Sequence, residues 1–144
     1  MAITQAMATS FKVGILDGDF DFGTGTTQTF RIALYTSAAT LSAATTAYTT
    51  SDEVIGVGYS AGGNVLVISQ VPTSTGTTAF LDFSDTTWTT ATITARGALI
   101  YLANGTTNPA VAVLDFGGDK TSTAGNFTIQ FPAADATNAI LRIA

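Results

Sequence analysis

Apolar and polar residues alternate at period two in several short stretches, the signature of half-buried strands. Phe127, Ile129 and Phe131 interleave with Thr128 and Gln130, and Pro132 closes the run. Phe30, Ile32 and Leu34 interleave with Arg31, Ala33 and Tyr35. Ala79, Leu81 and Phe83 interleave with Phe80 and Asp82. Ala139, Leu141 and Ile143 interleave with Ile140 and Arg142, a pattern that ties the C-terminus into a sheet. Two longer apolar runs, 95–103 and 110–116, flank Asn104-Gly105-Thr106-Thr107-Asn108-Pro109 and predict a hairpin with a long loop. The continuous apolar run 64–71 predicts a strand in the sheet interior, and Trp88 belongs to a separate strand near 86–93.

Turn clusters punctuate these runs: Gly23-Thr24-Gly25, Gly56-Val57-Gly58, Gly62-Gly63, Thr75-Gly76, Gly117-Gly118 and Ala124-Gly125. Many short strands with frequent glycine turns specify a sandwich and not βαβ units. At the N-terminus Ile3, Met7, Phe11 and Ile15 recur every fourth residue, with Gly18 placed as a helix C-cap. Phe11, Val13 and Ile15 also alternate, and Gly14 weakens a helix by about 1 kcal/mol. Residues 1–17 are therefore a helical or an extended arm, with the helix preferred. Residues 36–50 are low in complexity and predict a surface excursion. The expected fold is mainly β: one domain over 1–144, an antiparallel β-sandwich of jelly-roll or immunoglobulin-like type with a short N-terminal helix. Size scaling sets its folded surface at about 7,000 Å².

Composition narrows the chemistry. Ala, Gly, Ser and Thr fill 74 of 144 positions, 28 of them threonine. Charged residues make up 10%, against about 25% in typical domains, so hydroxyls and not ions supply the polar surface. The chain has no Cys and no His, which excludes thiol nucleophiles, disulfides, zinc sites built on those residues and Ser-His-Asp triads. A catalytic base would have to be an Asp, the single Glu53, Lys12, Lys120 or a tyrosine. The net charge is −5, and Lys12, Arg31, Arg96, Lys120 and Arg142 are scattered. That distribution argues against nucleic acid and anionic membrane surfaces as partners. The apolar runs are too short for a membrane helix, and the first twelve residues lack the pattern of a secretory signal. The expected setting is a cytoplasm, with release by lysis or a signal-free route.

Asp17-Gly18-Asp19-Phe20-Asp21 begins like a twelve-residue calcium loop, but Phe22 and Gln28 stand where Gly and Glu are needed. A solvated turn is the better expectation. Asp82 with Asp85, and Asp115 with Asp119, are the carboxylate pairs that glycoside hydrolysis would require. Outward strand positions for Asp82 and Asp115, and turn positions for Asp85 and Asp119, are preferred. The glycine clusters continue into neither phosphate-binding motif. Tyr35, Tyr48, Tyr59, Tyr101 and Trp88 are read as packing residues in preference to a sugar-stacking platform. No catalytic, cofactor-binding or metal-ligating residue is assigned, and no cofactor is expected.

Sandwich edges are normally guarded by Lys, Pro, bulges or inward charges. This chain has two lysines and three prolines. A hydroxyl-rich, ion-poor surface loses little side-chain entropy when covered, which favours assembly over a monomeric life.

Ser10-Phe11-Lys12 through Gly18 and Phe22, Thr29-Phe30-Arg31-Ile32-Ala33-Leu34-Tyr35-Thr36-Ser37, Thr45-Thr46-Ala47-Tyr48-Thr49-Thr50 and Gly58-Tyr59-Ser60-Ala61-Gly62-Gly63 resemble, in that order, a family of small tailed-bacteriophage virion structural proteins. So do Thr92-Ile93-Thr94-Ala95-Arg96-Gly97-Ala98-Leu99-Ile100-Tyr101, Ala110-Val111-Ala112-Val113-Leu114-Asp115-Phe116-Gly117 and Phe127-Thr128-Ile129-Gln130-Phe131-Pro132. Gly14 departs from the helix former expected at its position. The resemblance implies a place in the virion, assembled in the bacterial host, and brings no catalytic residue. The expectation that follows is a capsid decoration or cement protein bound to the major capsid protein and self-associated as a dimer or trimer. A tail, head-fibre or host-adsorption component is the alternative, and a small carbohydrate-active enzyme using two Asp residues ranks last.

Overall fold

A computed structural model describes residues 2–144. In chain order the elements are β1 (Ala6–Met7), α1 (Thr9–Asp17), β2 (Phe30–Tyr35), β3 (Asn64–Val65), β4 (Ile68–Thr75), β5 (Thr78–Phe83), β6 (Thr86–Leu102), β7 (Ala110–Ile129) and β8 (Leu141–Ile143). They form two antiparallel sheets, a five-stranded one in the order β1-β7-β6-β2-β3 and a three-stranded one in the order β4-β5-β8. The fold is a mainly β sandwich with one short helix. Its accessible surface of 7203 Å² is that of a normally packed domain of this size.

The two faces of the large sheet are covered differently. Phe30 of β2 stacks on Phe22 at 4.3 Å, and Phe22 also meets Phe11 of α1 and Phe83 of β5 edge-on. This phenylalanine cluster joins the large sheet to the helix and the small sheet. Successive residues point to opposite faces, so Arg31 and Tyr35 of β2, with Tyr101 of β6 paired to Arg31, face the other way. The loop 47–63 lies over that side and is held there by hydrogen bonds from these same residues. Phe30 and every residue from Ile32 to Tyr35 are buried as a result.

The helix begins at Thr9, after β1 has already paired with β7. The N-terminal arm is therefore extended first and helical second. Gly18 ends α1 in the left-handed conformation, and the Asp19 N–H bonds the Gly14 carbonyl. Gly14 has a packing reason: a Cβ there would lie 2.5 Å from the Phe20 ring.

Three expectations need correction. The strands near 86–93 and 95–103 are one strand, β6, and β7 runs on through Gly117-Gly118 and Ala124-Gly125. Those glycines sit in bulges and not in turns. Between Ala95↔Lys120 and Gly97↔Asp115, Arg96 alone faces residues 116–119. Further along, Thr90 and Ala124 take positive φ values of 50° and 47°, where the register slips again. The apolar run 64–71 is not interior: it splits into β3 and the start of β4 at sheet edges, with Val65, Val67 and Val71 exposed. Residues 36–50 are no simple surface excursion, because Ala39 and Leu41 are buried and Leu41 bridges to Ile3.

Glycine is required at Gly63, where φ is +71° and a Cβ would meet the Ile32 carbonyl oxygen at 1.8 Å. Gly76, at φ +61°, has open space around it. Gly63→Ala is expected to cost roughly 3–5 kcal/mol of stability, whereas Gly76→Ala costs only the left-handed strain of about 1–2 kcal/mol. Urea denaturation of both variants measures the difference.

Candidate functional site

The most organised polar cluster is built around the chain's single glutamate. Glu53 is 6% exposed and lies in the loop over the large sheet, where it bridges to Tyr35 of β2. Its Oε1 accepts hydrogen bonds from the Tyr59 hydroxyl and the Gly62 N–H, both at 2.7 Å. Its Oε2 accepts one from the Tyr48 hydroxyl at 2.7 Å. A buried carboxylate needs this number of donors to offset its desolvation.

The same loop is gripped from the sheet. Tyr101 Oη donates to the Gly62 carbonyl at 2.7 Å, and the Arg31 guanidinium donates to the carbonyls of Gly62 and Gly63. Tyr35 Oη donates to the Thr49 carbonyl, and the Leu34 N–H donates to Tyr59 Oη. Tyr48 stacks on Tyr101 at 4.7 Å. All four tyrosines thus serve one clasp. Burial pushes the Tyr35, Tyr48, Tyr59 and Tyr101 hydroxyls above the ordinary phenol range, and bonding to the Glu53 carboxylate adds to the rise at Tyr48 and Tyr59. Both carboxylate oxygens of Glu53 accept from donors of its own chain, and the cluster fastens the loop to the sheet.

Sequence patterning marked the tyrosines as packing residues but gave Glu53 no structural role. The signal that was present is the chain's single glutamate lying between Tyr48 and Tyr59, with a Gly-Gly pair at 62–63. Its spacing follows neither strand nor helix period.

The other acidic candidates are dispersed. Asp21 Oδ1 accepts the Gly23 N–H at 2.8 Å, and Gln28 closes the same loop through the Asp21 N–H and the Asp19 carbonyl. Among the described residues no group of three or more Asp and Glu carboxylates converges in metal-holding geometry. Asp82 is a correction: it is not outward but 8% exposed, and its Oδ1 has no hydrogen-bond partner. Burial raises its pKa, and the Asp85 carboxylate adds to the rise. Asp85 accepts the Phe131 N–H. Asp115 pairs with Arg96 at 3.1 Å; the Gly117 N–H, then Arg96, holds its pKa low. Asp119 lies inside the β7 bulge and not at a turn.

Two clefts flank α1. The larger, of about 760 Å³, is lined by Ser10, Asp19, Phe20, Thr27, Asn104 and Thr107 among others. The Gln28 and Asn104 amides on its wall are already engaged within their own loops. The second, of about 380 Å³, is apolar and includes Met7, Phe11, Ile15, Leu81 and Ile143. Asp82, Asp85, Asp115 and Asp119 line neither cleft. The outer surface carries isolated apolar side chains: Ile55 is 97% exposed, Leu16 89% and Val57 71%. The chain matches no family model, no curated protein and no solved structure.

Three measurements probe these groups. Glu53→Ala strands three donors and should destabilise the fold by about 3–5 kcal/mol, while Glu53→Gln, which keeps one acceptor, should cost about 1–2 kcal/mol. The phenols are weaker acids in the folded chain than in the unfolded one. Their contribution is therefore complete below about pH 10 and is lost as pH rises toward the folded values. Ultraviolet titration should show the tyrosines resisting ionisation past that point and then ionising together with unfolding. Asp82 has the same sign at lower pH: because folding raises its pKa, stability is full below the unfolded carboxyl value of about 4 and falls as pH rises above it. Asp82→Asn should raise Tm at pH 7, by a margin that shrinks below about pH 4.

Proposed function

We propose that this chain is a bacteriophage virion structural protein, a capsid decoration or cement protein that binds the outer face of the major capsid shell and stabilises it. The observation that carries the proposal is the pairing of a well-packed interior with bare apolar positions outside. Ile55, Leu16 and Val57 stand out from a surface made mostly of Thr, Ala, Ser and Gly. Such a surface is inexpensive to desolvate and carries few long side chains to immobilise. The order of sequence segments resembling phage virion proteins supplies the choice of particle. The mechanism is mechanical: many equivalent weak contacts bridge neighbouring shell subunits and together resist the pressure of packaged DNA.

A tail, head-fibre or adsorption component is the second reading. It is disfavoured because the tyrosines and Trp88 that would form a sugar-stacking surface are committed to the clasp and the core. Copy number in purified particles distinguishes the two. Hundreds of copies per virion, with density on the shell in an electron-microscopy map, are expected; a few to dozens would indicate a tail part. Absence from particles would overturn both.

A further inference from the structure

We propose that the outer edge of β7, over residues 119–129, is a pairing surface for a second copy of this chain, joined antiparallel so that two five-stranded sheets become one. On the side away from β6, β7 has a strand neighbour only at Ala112 and Val113, where β1 lies. Beyond that point alternate residues direct N–H and C=O groups outward, and among the described residues no other strand is in register with them.

The opposite edge of the same ribbon is treated differently. Val57 O accepts the Thr92 N–H at 2.9 Å, and Asn64 Nδ2 donates to the Thr87 carbonyl. Gly56 lets the covering loop lie flat, since a Cβ there would meet the Thr92 oxygen at 2.5 Å. The fold caps β6 and leaves β7 bare. The usual guards are thin on β7: Asp119 and Lys120 are its only charges beyond Asp115, and the first proline after it is Pro132. The bulge at Ala124 interrupts the edge without covering it, because the Ala124 N–H turns inward to Thr92 Oγ1. A trough of about 410 Å³ follows the strand, with Phe116 and Phe127 among its lining residues.

The second copy is the occupant because β7 is complementary to itself. Thr121 and Thr128 share the exposed face, each hydroxyl-paired to β6 at 2.8 Å, through Thr94 and Thr87. The bulge shifts parity by one residue, so matching faces across a two-fold axis sets Thr121 against Thr128 of the other copy, twice. The hydroxyl rows then continue across the junction. Lys120 falls opposite Ile129 and Asp119 opposite Gln130, so no like charges meet.

The absence of cysteine makes the register testable. Thr121→Cys and Thr128→Cys are made as single variants of the full chain and oxidised with diamide, alone and mixed. A disulfide-linked dimer is expected in the mixture only. Residue 121 lies roughly 20 Å from its own symmetry mate at the strand rise of about 3.3 Å per residue. Light scattering of the unmodified chain should give twice the monomer mass at high concentration, and Asn126→Lys, which places a charge on the edge, should abolish it without lowering Tm. A monomer at every concentration, or cross-linking no greater in the mixture than in the single variants, would overturn the pairing. The inference rests on the assembly reading for its purpose, but the two fail separately. A chain that pairs through β7 yet is missing from particles loses the virion role alone. A particle-bound chain that never pairs through β7 loses this contact alone.

Discussion

A single carboxylate organises one whole face of this protein. Glu53 draws Tyr48, Tyr59 and the Gly62 amide to itself from within the loop, while Arg31 and Tyr101 hold the Gly62 carbonyl, in the next peptide unit, from the sheet. Gly62 is gripped at both its N–H and its carbonyl. Without that grip, Tyr35 and its β2 neighbours would lose their cover on one side. The loop has almost no regular structure of its own, so directed polar bonds must supply what strand pairing supplies elsewhere. In a chain with one glutamate and five cations, the directed polar bonding of the interior is concentrated here, with Asp82 and Ser122 buried elsewhere.

The two layers of the sandwich thus depend on different physics. On one face phenylalanine rings pack at 4.3 to about 6 Å and hold α1 and the small sheet by contact area and ring geometry. On the other face hydroxyl groups reach from Tyr35 and Tyr101 into a loop. The first kind of adhesion tolerates volume-conserving exchange. The second does not, because removing one partner leaves a buried donor or acceptor without water.

Much of the architecture was legible in the chain. Period-two alternation located β2, β5, β8 and the end of β7, although only the end of β7 keeps one core face and one solvent face, while β2 is covered on both. Reading broke down where punctuation and packing disagree. Gly117-Gly118 and Ala124-Gly125 are turn-formers by type, yet the hairpin partner continues past them and converts the irregularity into bulges. The run 64–71 is apolar enough for an interior strand, but it lies at sheet edges, and no periodicity rule distinguishes a buried neighbour from a missing one. Asp82 alternated as an outward residue, yet the four residues from Phe80 to Phe83 are all buried, because that end of β5 is covered on both sides. The Glu53 clasp was the least visible feature, since its members meet through loop geometry and not through any repeat.

The β6–β7 hairpin also bears on how the chain reaches this state. Its closing loop, 103–109, is internally tied, with Asn104 Oδ1 accepting from the amides of Thr106 and Asn108. Closing it spends little chain entropy, whereas joining β1 to β7 or β5 to β8 must enclose far longer segments. Loop-closure entropy thus favours this hairpin and the tighter β4–β5 turn, paired at Thr75↔Thr78, over the pairings that join distant segments.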